Sequence, residues 1–495
     1  MHFIQPEKHT RRAFLRRSGH LAMAGTALPF ALNLAAMGEA AAFDATDYKA
    51  LVCVFLYGGN DYANTVVTYD DASYDKYSQI RGGGAGQTAG GIALARSSLS
   101  STLLNANAKD AVSGALNRQY ALHPSMTGLA GLFNSGKAAV QLNVGPLVAP
   151  TTRAGYNSNN RGSNPLPPNL FSHNDQQSIW QSSSPEGSTV GWGGKIGDLA
   201  LSSNKTSLFS CISVSGNSVF LAGDQALQYQ IGTNSAVKIN GATNPVYGSA
   251  AVRDAVKQLT QASSGQVIEN AYNTVTRRAV TAETEMTAAL DANKAVNNVY
   301  PAPFNAFTDS NQLARQLRMV ARMIASRTAL GSKRQVFLVS IGGMDLHDDL
   351  VGKHVGNMQD VSGAMTEFYN ATVALGVANS VTSFTASDFG RTLASNGDGA
   401  DHGWGSHHLV VGGAVNGGAF YGTAPPVSVG DSSTLADDQW HVGQGRLLPS
   451  TSVDQYAATM AKWFGVADAE LNGILPNLGR FANNSAYPTN MGFMK

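Results

Sequence analysis

Three short apolar segments, each followed closely by an aspartate, constrain the fold of this chain more than any other feature. The segments span residues 51–57, 336–341 and 381–385, and the acids are Asp61, Asp345 and Asp388. Short apolar runs rich in β-branched residues are typical of strands buried on both faces of a parallel sheet. Because strand-like segments alternate with helical patterns, we predict an α/β fold with a mostly parallel sheet. Ligands of such sheets bind just outside the carboxyl ends of the strands, where these acids lie.

Histidines follow two of the same segments. They are His347, His402, His407 and His408. Imidazole and carboxylate groups together suit zinc or manganese. Each residue alone has an ordinary structural explanation: Asp61 or Asp345 could cap a helix, and His173 could be a hydrogen-bonded core residue. Considered together, they favour a ligand site in which the side chains of Asp61, Asp345, Asp388 and His402 converge on one cleft, with Ser172 facing them.

Residues 1–42 resemble a twin-arginine export signal. The Arg-Arg pair at 11–12 precedes an alanine-rich apolar region at 21–36, and three alanines at 40–42 offer a cleavage site. The alternative is a membrane anchor, but the apolar region is short for a span and is interrupted by Gly25, Pro29 and Asn33. We therefore predict a periplasmic or secreted protein without a stable membrane anchor.

The mature chain is predicted to be one α/β domain over residues 43–495. Within it, residues 185–260 alternate Gly, Ser and Asn with β-branched residues, a pattern that predicts a β-rich cap or insertion. The net charge of +1 gives no indication of a nucleic-acid partner. The oligomeric state is left open by the sequence.

Five ordered motifs resemble a known family. They are Gly-Gly-Asn-Asp at 58–61, Phe-Ser-His-Asn-Asp-Gln-Gln at 171–177, Gly-Gly-Met-Asp-Leu-His at 342–347, Ser-Asp-Phe-Gly-Arg-Thr at 387–392 and Asp-His-Gly-Trp-Gly at 401–405. Motifs of this kind are found in the domain-of-unknown-function 1501 family of exported bacterial proteins. That family is similar in turn to the alkaline phosphatase and sulfatase superfamily. The resemblance implies a doubly wound, alkaline-phosphatase-like α/β fold with two divalent metals bridged by the substrate ester.

Carried over by position, the resemblance implies a ligand set for each metal. The first metal would be bound by Asp345, His347 and one of His402 or His407. The second would be bound by Asp61, Ser172 and Asp388, but the residue after Asp388 is Phe389, where the superfamily has a histidine. This departure implies that the second metal is absent, is an oxygen-bound ion such as calcium, or uses His173 or Asn60 as a ligand instead.

The candidate catalytic residues are Ser172, His173 and Arg391. By this resemblance Ser172 would be a metal-activated nucleophile and Arg391 would neutralise the ester oxygens; their ordinary alternatives are a helix cap and a structural ion pair. We expect an exported metal-dependent hydrolase of phosphate or sulfate esters that uses one or two divalent ions: zinc, manganese or calcium. The alternatives are a catalytically degenerate protein that binds an anionic glycan or polymer, and a periplasmic or surface assembly protein.

Overall fold

The structure is a computed structural model that describes residues 45–82, 91–105 and 118–495. The export signal predicted over residues 1–42 lies outside the described residues. The strands are β1 (Lys49–Leu56), β2 (Val66–Thr68), β3 (Tyr120–Leu122), β4 (Ala138–Gly145), β5 (Cys211–Ser213), β6 (Gln228–Gln230), β7 (Arg334–Ile341), β8 (Val381–Ser387), β9 (Ser406–Gly412), β10 (Phe420–Tyr421) and β11 (Thr451–Ser452).

The α-helices of these residues range from one turn to seven turns. They are α1 (Tyr62–Thr65), α2 (Asp71–Arg81), α3 (Arg96–Leu99), α4 (Thr127–Asn134), α5 (Arg153–Asn157), α6 (His173–Ser182), α7 (Trp192–Ala200), α8 (Ala250–Gln261), α9 (Val267–Leu290), α10 (Gln312–Ala325), α11 (Arg327–Leu330), α12 (Leu350–Ala374), α13 (Val453–Phe464) and α14 (Asp468–Ile474). No helix in this part of the chain combines the length and apolarity that crossing a bilayer requires.

A nine-stranded sheet organises the fold, in the order β10-β4-β9-β8-β1-β7-β5-β6, with β11 also paired to β4. Within this sheet, β9 runs antiparallel to its neighbours β4 and β8, whereas the other described pairings are parallel. The mostly parallel α/β sheet predicted from the sequence is therefore confirmed. A separate antiparallel pair, β2 and β3, lies outside this sheet.

The three predicted apolar strands are the central neighbours β8, β1 and β7. Their registers place Leu56 beside both Ile341 and Ser387, so the three strands end at the same level. The segments that follow them consequently meet at one edge of the sheet. The amino-acid order alone cannot show this coincidence, because it depends on the register between strands that lie about 280 or 330 residues apart.

Helices cover both faces of the sheet, which explains why its central strands are apolar throughout. In β1, Val52 and Val54 pack into one core, while Cys53 and Phe55 pack into the other. Helices α10 and α12 contribute to the first core, and α7 and α13 contribute to the second. Side chains of a strand alternate between faces, so a strand that is covered twice needs apolar residues at every position.

Residues 185–260, which we predicted to be a β-rich cap or insertion, contain little β-structure. Their strands β5 and β6 have three residues each and extend the edge of the main sheet beyond β7. The remainder includes helices α7 and α8 and single-turn 3-10 helices. Gly, Ser and Asn favour local turns over a sheet ladder, which accounts for the short strands.

Two glycines after β1 bring the strand-end loops into close contact. Gly58 has φ of +114° and Gly59 has φ of +85°, a region that side-chain-bearing residues rarely adopt. A Cβ on Gly58 would lie 2.5 Å from the backbone nitrogen of Asp345, and one on Gly59 would lie 2.3 Å from the ring of Phe389. The Gly-Gly pair is therefore a steric requirement for the arrangement of side chains at this edge.

Candidate metal centre

Three imidazole rings surround the carboxylate of Asp345, which follows β7. Its Oδ1 lies 3.1 Å from His347 Nε2 and 3.3 Å from His402 Nε2. Its Oδ2 lies 3.5 Å from His173 Nε2. His173, Asp345 and His402 each offer one ligand atom, and these three atoms lie within 4.8 Å of one another. These residues come from three distant segments, so the fold itself assembles the group.

The other ring nitrogen of each histidine contacts an acceptor of the protein. His173 Nδ1 lies 2.7 Å from Asp388 Oδ2, and His402 Nδ1 lies 2.7 Å from the carbonyl oxygen of Phe171. His347 Nδ1 lies 3.2 Å from Asp401 Oδ1. Because carboxylate and carbonyl oxygens accept hydrogen bonds, these contacts assign the proton of each neutral ring to Nδ1. The lone pair of Nε2 is then directed towards the centre, as in histidines that bind metals.

The close contact between His347 and His402 requires a proton or a cation between the two rings. His347 Nε2 and His402 Nε2 are only 3.0 Å apart. When both rings are neutral and carry their proton on Nδ1, neither nitrogen has a hydrogen to donate to the other or to Asp345. Acceptors in such contact repel one another unless a positive charge lies among them.

Two pKa shifts favour the metal-binding forms of these groups. Burial acts to raise the pKa of Asp345, but the hydrogen bond and charge of Arg391 outweigh it, so the pKa falls below its usual range. Burial lowers the pKa of His402. A carboxylate and a neutral imidazole are the forms that bind a divalent cation. The hydrogen bond with Asp388 raises the pKa of His173, so a cation there has to displace a proton from a more basic ring.

Asp388 is fully buried behind His173 rather than directed into the group of Nε2 atoms. Its Oδ2 accepts hydrogen bonds from Gln177 Nε2 at 2.8 Å and from the backbone N–H of Gly58 at 3.2 Å, in addition to the contact with His173. Its Oδ1 has no hydrogen-bond partner among the described residues. The structure thus places Asp388 where it orients the ring of His173.

Phe389, at the position where the resemblance implied a histidine, packs against the centre. Its ring centroid lies 4.8 Å from that of His173 and 4.6 Å from that of His402. The side chain is buried. It therefore forms an apolar wall beside two of the imidazoles and offers no atom to a second metal.

Asp61 is not part of this group, in contrast to our prediction that it converges with Asp345. Both of its oxygens accept hydrogen bonds from Arg81, each at 2.7 Å, and both side chains are buried. Arg81 also donates to Asn64 at 2.7 Å. A carboxylate that is paired at both oxygens with a buried guanidinium has the geometry of a structural ion pair.

His407 is also separate from the group that includes His402. It lies in β9, where its Nδ1 accepts a hydrogen bond from the backbone N–H of Asn143 at 3.0 Å and its ring packs against Tyr62. Burial lowers the pKa of His407 to about 3. Of the two alternatives left open for this ligand position, the structure brings only His402 to Asp345.

Ser172 and Arg391 both lie beside the site, and both side chains are hydrogen-bonded within the protein. Ser172 occupies the N-cap position of α6, but its hydroxyl donates to Asp175 Oδ2 at 2.9 Å instead of capping the helix. Arg391 is buried and donates to Asp345 at 2.6 Å and to the carbonyl oxygens of Gly58 and Ala400. It therefore holds Asp345 in place, and its terminal nitrogens are occupied by protein acceptors.

Other contacts of the site were not predicted from the sequence. Arg81, the partner of Asp61, lies outside the five motifs, and the anchor of His402 is a backbone carbonyl, that of Phe171. A carbonyl oxygen is present in every residue, so no residue pattern could have identified it. The contact between Asp401 and His347 was indicated in the sequence only by position, since Asp401 directly precedes His402, which also lies at the centre.

Comparisons with known proteins place the chain in a family without an assigned activity. The family model described as "Protein of unknown function (DUF1501)" matches residues 48–444. No curated protein matches the chain. One similar solved structure is described as "Crystal structure of Ps i-CgsB in complex with k-i-k-neocarrahexaose", with 10% identity and a TM-score of 0.32 over 87% of this chain and 76% of that chain. A TM-score of 0.32 is too low for the fold or function of that protein to be transferred to this chain.

Proposed function

The chain belongs to the DUF1501 family of proteins of unknown function, and from the geometry of its strand-end site we propose that it is an exported, metal-dependent hydrolase of phosphate or sulfate esters. The observation that carries this proposal is the convergence of three Nε2 atoms on Asp345, with those of His347 and His402 3.0 Å apart. We also propose that the fold is alkaline-phosphatase-like, which the position of the site at the carboxyl ends of parallel strands supports.

The set of donor atoms supports zinc or manganese as the ion. Three imidazole nitrogens and one carboxylate suit these metals, whereas calcium takes six to eight oxygen ligands. One ion fits the site better than two. At the proposed second position, Asp61 is already paired with Arg81. The apolar ring of Phe389 stands where a metal-binding side chain would be required.

The site is open enough for a substrate to reach its ligands. The side chains of His173, Asp345, His347 and His402 are between 25% and 42% exposed. When bound, a divalent cation would polarise an ester oxygen and acidify water. Asp388 and Asp401 orient two of the imidazoles, while Arg391 keeps Asp345 ionised and in place.

We retain Ser172 as the proposed nucleophile, and water is the alternative attacking group. The hydroxyl is hydrogen-bonded to Asp175, and the two neighbours of Ser172 in the sequence, Phe171 and His173, both contact the centre. If Ser172 attacks the ester, a Ser172→Ala variant loses turnover but keeps its metal. If water attacks, the variant keeps most of its turnover.

The experiment measures metal content and turnover of the purified mature protein. After dialysis, elemental analysis determines zinc and manganese, and a panel of aryl phosphates, phosphodiesters and aryl sulfates is assayed. We expect Asp345→Asn to lose metal and turnover together. Asp348→Asn is the matched control, because this nearby acid is exposed and pairs with Lys353 instead of the centre. Metal retention and full activity in Asp345→Asn would rule the proposal out.

The second candidate is a protein that binds an anionic glycan or polymer without hydrolysing it. Phe389 in place of a metal-binding histidine, and Arg391 bound to protein acceptors, favour this reading. It predicts bound metal with no turnover on any ester of the panel. Absence of metal would instead favour an assembly role.

The proposed export is tested by replacing Arg11 and Arg12 with lysine, which should leave the protein in the cytoplasm.

A further inference from the structure

Arg446 is attached to the metal centre by two contacts. Its Nε donates a hydrogen bond to the carbonyl oxygen of His402 at 2.8 Å. Its guanidinium carbon lies 5.3 Å from the centroid of the Phe171 ring. Both neighbours belong to the centre, because His402 contributes Nε2 and the carbonyl of Phe171 anchors the His402 ring. The guanidinium of Arg446 is therefore held beside the site.

The two terminal nitrogens of Arg446 have no hydrogen-bond partner among the described residues. This distinguishes it from Arg391 and Arg81, whose terminal nitrogens donate to carboxylates and carbonyls of the protein. The charge of the nearby Asp401 acts on Arg446, but no hydrogen bond joins the two side chains, and Asp401 Oδ1 accepts from Asn396 and contacts His347. Arg446 is thus the guanidinium at this site that retains donors for a ligand.

We infer that Arg446 binds an anionic oxygen group of the substrate and sets the preference for phosphate or sulfate over neutral esters. A guanidinium presents paired N–H groups that match the oxygens of these anions. The hydrogen bond to His402 and the face of Phe171 hold the group in place, which reduces the entropy lost on binding. This inference rests on the proposed function, because the anion that Arg446 binds is a group of that substrate.

The inference assigns to Arg446 the role that the resemblance implied for Arg391. Arg391 cannot reach a substrate without releasing Asp345, since its buried side chain donates to that carboxylate. Arg446 is only partly buried and contacts the centre from the side of His402. Substrate recognition and ligand positioning are consequently divided between two arginines.

The test is calorimetric titration of inorganic phosphate and sulfate into the protein in its metal-free and zinc-loaded forms. We expect Arg446→Gln to weaken phosphate binding by about tenfold or more in both forms, and Arg446→Lys to weaken it less because the charge remains. The matched control is Lys353→Gln, which removes an exposed cation that pairs with Asp348. This control should bind phosphate as the unaltered protein does. Thermal melting identifies the variants that fold.

The outcomes separate this inference from the proposed function. Phosphate binding in metal-free protein that depends on Arg446 supports the inference even if no ester is hydrolysed. Equal phosphate affinity in folded Arg446→Gln, or no phosphate binding by the unaltered protein, overturns it while metal content and turnover remain a separate result. If turnover is found, Arg446→Gln should raise KM for an aryl phosphate about tenfold with little change in kcat. If Arg446 had only a structural role, its replacement would not raise KM while leaving kcat nearly unchanged.

Discussion

His173, His347 and His402 each use one ring nitrogen to contact an acceptor of the protein and direct the other towards Asp345. The acceptors differ: two are the carboxylates of Asp388 and Asp401, and one is a backbone carbonyl. Such contacts select the tautomer and orient the ring, and their loss typically weakens metal binding 10–100-fold. In the proposed metal centre, Asp345 is therefore a ligand, whereas Asp388 and Asp401 act through imidazoles.

Asp388 should affect metal binding through the ring of His173. Asp388→Asn preserves the shape of the side chain but removes the charge that faces His173 Nδ1. We expect zinc affinity to fall about 10–100-fold with the fold intact. Competition with a chromophoric chelator measures the affinity, and Asp348→Asn is again the control. An affinity equal to that of the unaltered protein would show that Asp388 has no influence on the centre.

Asp61 is the residue whose predicted role differs most from its contacts. Asp61→Asn leaves Arg81 buried without its charge partner, so we expect the free energy of unfolding to fall by about 3–5 kcal/mol. Metal content per folded molecule should remain unchanged. Urea denaturation and elemental analysis of the same sample measure the two quantities. Loss of metal with unchanged stability would restore Asp61 as a ligand.

At the scale of elements, the strands were predictable and the contacts between their loops were not. The apolar segments at 51–57, 336–341 and 381–385 are typical of doubly covered strands, and they correspond to β1, β7 and β8. The capping box that begins α13 at Ser452 is also a local pattern, and the structure contains it. The pairing of Asp61 with Arg81 depends instead on how separate elements pack, which no local pattern encodes.

The glycines after β1 provide a prediction for this scale. Gly59→Ala would strain a backbone with φ of +85° and would push the added Cβ into the ring of Phe389, which packs on His173 and His402. We expect a loss of about 1–3 kcal/mol in stability and weaker zinc binding. The control is Gly342→Ala, directly after β7, where an added Cβ meets no atom within 4 Å. Similar behaviour of the two variants would contradict the steric argument.

At the scale of the whole molecule, covering the sheet on both faces buries histidines that do not belong to the centre. Burial lowers the pKa of His123, His407 and His408 to about 3 and that of His354 to about 4. These residues lie in or near the layers of the sheet and remain neutral in the folded protein at neutral pH. The sequence could not separate them from His402, because a histidine beside a strand has the same local pattern in either role.

The low pKa values of these buried histidines should make the free energy of unfolding depend on pH. Their pKa is 6.5 without burial, so below about pH 6.5 the unfolded chain binds protons that the folded chain does not. Stability is therefore fully present above pH 6.5 and falls as the pH decreases towards their folded pKa values, by up to about 1.4 kcal/mol per pH unit for each histidine. His173, whose pKa is raised, contributes in the opposite direction.

Urea denaturation of metal-free protein between about pH 7 and pH 5 measures this dependence. We expect the free energy of unfolding to decrease steadily, and His408→Gln to show a shallower slope because one buried imidazole is removed. A free energy that stays constant over this range would mean that the buried histidines are not kept neutral by the fold.

The central claim is that one divalent cation lies among three imidazoles and Asp345 at the carboxyl ends of the central strands. Anomalous diffraction from crystals of the zinc-loaded mature protein, recorded above the zinc edge, tests it most directly. The account predicts an anomalous peak at roughly 2.0–2.2 Å from a carboxylate oxygen of Asp345 and from the Nε2 atoms of His173, His347 and His402. A map without a peak at that position, or with its strongest peak beside Asp61, would contradict it.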